Sequence, residues 1–261
     1  MSKVIAIINE KGGTGKSTTS TTLAYLIAKE KKKVLVIDFD GQGHSSLICG
    51  VNPNQAKMTI STLLNKVILD EALPAPTEYI YKNENGVDII PANSNLFVLE
   101  RNLCNVNFRE TKLKVIVDPL RELYDYIIID CMPQIGTPMI NVMMCSDSIL
   151  IPTQAELLSA QGLSELLKHY KSIRTNSNHK LKIEGILVTM DSPKTMLSAQ
   201  VNQMLNDTFG NSMRIFNTKI PRSIKVAEAQ AYQKTICEYM PNNPAAIAYE
   251  NFAKELLHYG T

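Results

Sequence analysis

The stretch INEKGGTGKSTTSTTLAYLI, residues 8–27, decides the fold. It leaves an apolar run, KVIAIIN (3–9), passes Gly12, Gly13 and Gly15, and reaches Lys16-Ser17-Thr18 where helical periodicity begins. Strand, glycine loop and helix in that order form a phosphate-binding loop. Glycines let successive backbone N–H groups turn inward on an anion, and the helix adds its positive end. Lys16 is placed to reach β- and γ-phosphates, and the Ser17 hydroxyl to help hold Mg²⁺. The spacing departs from G-x-x-x-x-G-K-[ST] at position 10, which is Glu, and a second lysine, Lys11, stands five residues before Lys16.

Working outward, KKVLVID (32–38) and YDYIIID (124–130) match the first run in type. All three are rich in Val and Ile without clean alternation, as strands covered on both faces should be. SDSILIPT (146–153) and KIEGILVTM (182–190) look alike, while GVDIIPA (86–92) and MRIFNTKIP (213–221) are weaker strand candidates. Helical patterns fall between them, over 16–30, 158–174, 197–210 and 245–260. In the second of these, Leu163, Leu166, Leu167 and Tyr170 share one face. Residues 50–123 are less regular, with helices predicted at TISTLLNKV, SNLFVLERNLC and TKLKVIVDPLREL. This alternation predicts an α/β fold: a doubly wound, mostly parallel sheet with helices on both faces, of the P-loop NTPase type. With no Gly/Ser linker, internal repeat or low-complexity tract, residues 1–261 read as a single domain.

Composition narrows the function classes. A net charge of +2 is too near neutral to imply nucleic acid from bulk charge, so any such surface must be a local patch. No apolar run reaches the roughly 18 residues a membrane-spanning helix needs, and the N-terminal run is too short for a signal peptide. Five scattered cysteines without a C-x-x-C pair fit a reducing cytoplasm better than a disulfide scaffold or a zinc site.

Two further strands end in carboxylates. VIDFDGQGHSS (36–46) carries Asp38 and Asp40, and IIIDCMPQIG (127–136) carries Asp130. The C-terminal strand ends of an open α/β sheet are where ligands bind. Cys131 reads as a small residue beside a buried strand end rather than a redox group.

K-G-G-T-G-K-S-T (11–18) resembles the deviant Walker A motif of the ParA/MinD superfamily, and the chain is similar to its ParA/Soj branch of partition ATPases. The loop at 38–43 matches D-x-D-P-Q-G except that Gly41 replaces proline. The third strand end resembles a Walker B segment, keeping Pro133 and Gly136 but with Met132 inside the usual D-C-P-P. PTQAELLSAQGLSELL (152–167), IPRSIKVAEA (220–229) and AIAYENFAKEL (246–256) extend the match, and only 50–123 is weak.

The resemblance implies a set of roles. Lys11, Gly12, Gly13, Thr14, Gly15, Lys16, Ser17 and Thr18 would hold ATP, with Met190 and Pro221 walling adenine. Ser17, Asp40 and Asp130 would surround Mg²⁺. Lys11, Lys16 and Asp40 would be catalytic, Asp40 near the attacking water. Lys11 would cross a dimer interface to the phosphates of the partner's nucleotide. Two ATP molecules face to face repel, and a cation supplied in trans offsets that repulsion. Non-specific DNA binding would fall to Lys194, Arg222 and Lys225, through phosphate neutralisation. Lys194 stands where arginine is common, and SIKVAEAQAY follows Arg222 in place of the usual sequence. The basic cluster KHYKSIRTNSNHKLK (168–182) reads first as an ordinary solvated helix end and loop.

The function implied is an ATP-dependent partition switch. It would dimerise on ATP, bind DNA non-specifically and hydrolyse ATP slowly under stimulation by a ParB-like partner, segregating a plasmid, chromosome region or mobile element. It would be cytoplasmic and nucleoid-associated, with no membrane contact. The first strand begins so close to Met1 that no N-terminal helix-turn-helix domain is expected. The alternative is a MinD-like membrane-surface positioning ATPase, which needs a basic amphipathic C-terminal helix. ENFAKELLHYGT, with two acids and one lysine, opposes it. Sharing an iron–sulfur cluster between subunits would need suitably placed cysteines, which Cys104 and Cys131 do not supply.

Overall fold

The computed structural model describes residues 2–103, 106–156, 159–192 and 195–258. Among them β1 (Lys3–Ile7), β2 (Val34–Phe39), β3 (Val87–Ile90), β4 (Tyr126–Cys131), β5 (Ser148–Gln154) and β6 (Lys182–Thr189) form one sheet in the order β3-β2-β4-β1-β5-β6. Every neighbouring pair runs parallel. The helices are α1 (Lys16–Lys29), α2 (His44–Ile48), α3 (Ile60–Ile68), α4 (Pro76–Tyr79), α5 (Asn95–Leu103), α6 (Lys112–Leu120), α7 (Thr137–Cys145), α8 (Ser159–Asn176), α9 (Met196–Phe209), α10 (Ile224–Ala231), α11 (Ile236–Tyr239) and α12 (Pro244–His258). This is the doubly wound P-loop NTPase architecture.

The strand sequences explain the layering. Successive side chains point to opposite faces, so a strand buried on both sides is apolar at every position. In β1, Val4 and Ala6 join a core built with α3, α5, α6, α7, α8 and α9. Ile5 and Ile7 join the opposite core, built with α1, α10, α11 and α12. β4 divides the same way, Ile127 and Ile129 against Ile128. Strands β1, β2 and β4 end together, which sets Asp38 in register beside Asp130 and brings both to the edge where the glycine loop leaves β1.

The candidate strand at 213–221 is corrected. It lies along β6 and exchanges hydrogen bonds through Ile186 and Phe216, but it forms only isolated bridges. The physical reason is a competing acceptor. The N–H groups of Asn217 and Thr218 turn to the Glu255 carboxylate of α12, at 2.9 and 3.0 Å, instead of to the sheet. The three helices predicted within 50–123 form as α3, α5 and α6, while α7, α10 and the short α2, α4 and α11 were not anticipated. Lys194 and Cys104 lie outside the described residues.

Candidate nucleotide site

The loop after β1 is shaped by residues from three strand ends. Gly13 and Gly15 take left-handed backbone angles, φ 75° and 83°, that a side chain would strain. The Gln154 amide, at the end of β5, donates to the Gly13 carbonyl at 2.7 Å. The Thr189 hydroxyl, at the end of β6, donates to the Thr14 carbonyl at 2.8 Å. Asn9 donates to the Pro152 carbonyl and accepts the Lys11 N–H at 3.0 Å. The Gly13 and Thr14 carbonyls are therefore clamped from the ends of β5 and β6, and the Lys11 N–H is taken up by Asn9.

Lys16, at the first turn of α1, is buried, and its ammonium donates to the Lys11 carbonyl at 3.0 Å. Burial lowers its pKa, against the pull of Asp130 and Asp40. The structure thus brings the Lys11 main chain to the cradle. Its side-chain ammonium instead pairs with Glu156 of the same chain, beyond the end of β5. Ser17 and Thr18 follow at the N-terminus of α1, Thr18 accepting from the Gln230 amide at 2.8 Å.

The carboxylates form an inner group. Asp38 is buried and accepts from the Ser46 N–H and hydroxyl, at 2.8 and 2.7 Å. Burial and the neighbouring Asp130 raise its pKa, and the Ser46 and Asp40 hydrogen bonds oppose the rise. Asp130, also buried, accepts from the hydroxyls of Ser45 at 2.7 Å and Ser20 at 3.3 Å. Burial raises its pKa too, opposed by the Ser17 and Ser45 hydroxyls and by Lys16. Two adjacent buried carboxylates resist full ionisation, and nearby positive charge relieves them. Asp40 sits at the tip of β2 and accepts the Gln42 N–H at 3.0 Å in a tight turn. Cys131 is buried with its thiol pKa pushed up, which leaves it an inert packing residue.

A cavity of about 580 Å³ opens over this group, lined by Lys16, Ser17, Asp40, Met190, Pro221 and Ile224 among others. Met190 and Pro221 therefore share the cavity with the glycine loop. Met190 holds a left-handed φ of 50°, and its sulfur accepts from the Gln154 amide at 3.0 Å. Arg222 is exposed at the rim, and its N–H donates to the Asp191 carbonyl. Lys225 pairs with Glu228 at 2.7 Å, so its charge is locally matched. Gln154, Thr189, Ser45 and Gln230 were missed from sequence. PTQ at 152–154 was visible as a segment, but nothing in it told that the amide would clamp the loop.

The acceptor chemistry suits a hard divalent cation. No group of three or more His, Cys, Asp or Glu capable of caging a metal exists among the described residues. Mg²⁺ is usually held by one or two carboxylates with phosphate oxygens completing its shell, and a serine hydroxyl beside Asp130 fits that pattern.

A parallel sheet with a lysine-bearing glycine loop and a strand-end aspartate defines the class of P-loop nucleotide-hydrolysing proteins. An AAA domain model matches residues 2–183. The sporulation initiation inhibitor protein Soj of Bacillus subtilis is 36% identical over 260 residues, covering 100% of both chains. The chromosome partitioning protein ParA of Myxococcus xanthus is 33% identical, covering 99% of this chain and 89% of the relative. Among solved structures, cobyrinic acid a,c-diamide synthase from Mycobacterium smegmatis with bound ATP analog and magnesium is similar, with TM-score 0.84 and 26% identity over 100% of this chain and 97% of that one. The chain belongs to the ParA/Soj family of P-loop ATPases.

Proposed function

We propose that the protein is a partition switch: it binds Mg-ATP in the cradle around Lys16, dimerises in that state, binds DNA non-specifically and resets by slow hydrolysis. The observation that carries this reading is the buried Lys16 ammonium, held at the glycine loop above two buried strand-end carboxylates. Such a charge cluster has no packing purpose; a polyanion with a divalent cation completes it.

In this reading the loop N–H groups of residues 12–18 and Lys16 hold the phosphates. Ser17 and Asp130 hold the magnesium shell, and Asp40 orients the attacking water. Bound Mg²⁺ supplies charge stabilisation to the β- and γ-phosphate oxygens. Met190 and Pro221 flank the base. Lys11 exchanges its partner: it leaves Glu156 and turns to the phosphates held by a second protomer. The Lys11–Glu156 pair is half-exposed on both sides, so breaking it costs about 0–1 kcal/mol, a small term beside the charge it would meet. DNA contact falls to Arg222 at the rim of the cavity, together with Lys194. The matched Lys225 is the weakest of the three. A relative named for chromosome partitioning supports the partition role; a ParB-like stimulating partner and a nucleoid location belong to the same proposal.

The first experiment is fluorescent ATP-analogue titration with Mg²⁺. The wild type should bind, and Lys16→Ala should weaken binding by at least about 100-fold, as expected for losing a charge-assisted contact. Equal binding by both would remove the reading.

A further inference from the structure

Position 41 lies in the turn that carries Asp40, and it is glycine. Gly41 is not among the glycines with positive φ, so its backbone conformation does not require the residue. Space does. A Cβ built on Gly41 would fall 2.6, 2.7 and 2.9 Å from three ring carbons of Phe97, closer than non-bonded carbons can sit. Phe97 comes from α5, and Leu96, Leu99 and Leu103 bury the other side of that helix in the core. The ring is therefore delivered by an anchored element, not by a loop.

The turn is crowded at a second glycine as well. A Cβ on Gly43 would meet Pro53 at 2.7 Å and the Ala92 carbonyl at 3.1 Å. Inside the turn, the Gly43 N–H donates to the Asp40 carbonyl at 2.9 Å and the Gln42 N–H to the Asp40 carboxylate at 3.0 Å. The placement of the Asp40 carboxylate thus depends on a four-residue turn packed against Phe97 at Gly41 and Pro53 at Gly43.

We infer that Phe97 is a positioning residue for Asp40: its ring occupies the space beside Gly41 and fixes the turn that aims the carboxylate. Gly41 and Phe97 work as a pair, each permitting the other. The inference rests on the role of Asp40 in hydrolysis argued above.

The test is a double-mutant cycle with Gly41→Ala, Phe97→Ala and the combined variant, measuring kcat, ATP affinity and amide exchange. Each single variant should lower kcat about ten-fold, as expected for a small misplacement of a reacting group, with ATP affinity within about two-fold. The combined variant should be faster than Gly41→Ala alone, because removing the ring makes room for the methyl. Phe97→Leu should keep most of the wild-type rate. In Phe97→Ala the Gln42 and Gly43 amides should exchange at least about ten-fold faster, with β1 amides unchanged, as local opening of one turn predicts. Additive losses in the combined variant, or unchanged exchange at Gln42 and Gly43, would overturn the pairing. A wild type that binds ATP without hydrolysing it would instead remove the role of Asp40, and the exchange data would still decide whether Phe97 holds the turn.

Discussion

A buried lysine is a costly choice, and it shows where the chemistry lies. Lys16 loses hydration on burial and recovers it only in part through the Lys11 carbonyl and the fields of Asp130 and Asp40. Asp40 differs, since its carboxylate lies on a turn and can be removed without opening the core. Asp40→Ala should therefore keep ATP affinity within about three-fold while hydrolysis falls by about 100-fold or more, the usual scale for losing a group that orients the nucleophile. Single-turnover assays check this, and normal turnover would discard the assignment. At this scale the placement of the glycines, Lys16, Ser17, Asp40 and Asp130 around the strand ends was legible because each is tied to a strand end by spacing. Gln154 and Thr189 were not, because a clamp on a loop carbonyl leaves no local pattern.

Among the elements, α12 and the segment after α9 show how a side chain overrules strand propensity. MRIFNTKIP has the composition of a strand, yet Glu255 takes two of its N–H groups and Arg214 donates to the same carboxylate at 3.1 Å. Burial alone would raise the Glu255 pKa; the Asn217 and Thr218 hydrogen bonds and the Arg214 charge outweigh it and hold it below the usual range. A depressed carboxylate pKa gives stability that is fully present above the unfolded value and lost as pH falls through the folded value. Glu255→Gln should thus cost about 1–2 kcal/mol at pH 7, the scale of hydrogen bonds to a charged group. The deficit should begin to shrink below about pH 4 and close only below the folded value, where the wild-type carboxyl is also protonated. Thermal melts of both proteins across that range measure it, and a pH-independent gap would contradict it. No sequence pattern could report this competition, since Glu255 lies 37 residues or more from the groups it binds. By contrast β1, β2 and β4 were readable because continuous apolar runs admit few other placements.

For the molecule as a whole, the parallel sheet gathers one strand-end carboxylate after another onto a single edge, and Arg222, two residues before α10, lies beside the same cavity. No helix among the described residues is long and apolar enough to cross a membrane. If Arg222 contacts DNA phosphate, Arg222→Glu should weaken DNA binding by at least about ten-fold at low salt while ATP hydrolysis stays within about two-fold. The wild-type affinity should also fall steeply as salt rises. Electrophoretic shifts on random-sequence duplexes test both, and an unchanged shift would move the contact elsewhere. The doubly wound architecture was legible from strand and helix alternation. In the cavity wall, Met190 and Pro221 were expected from the family resemblance, whereas Ile224 was not, because its place depends on how the segment after β6 folds back.

We propose that ATP closes two protomers because Lys11 gives up Glu156 for the partner's phosphates. Light-scattering mass on a sizing column, with and without Mg-ATP, tests it most directly when Asp40→Ala and Lys11→Ala/Asp40→Ala are run side by side. Asp40→Ala should form a dimer with ATP, and the double variant should remain a monomer that still binds ATP. A dimer that survives loss of Lys11, or an Asp40→Ala protein that stays monomeric with ATP bound, would contradict it.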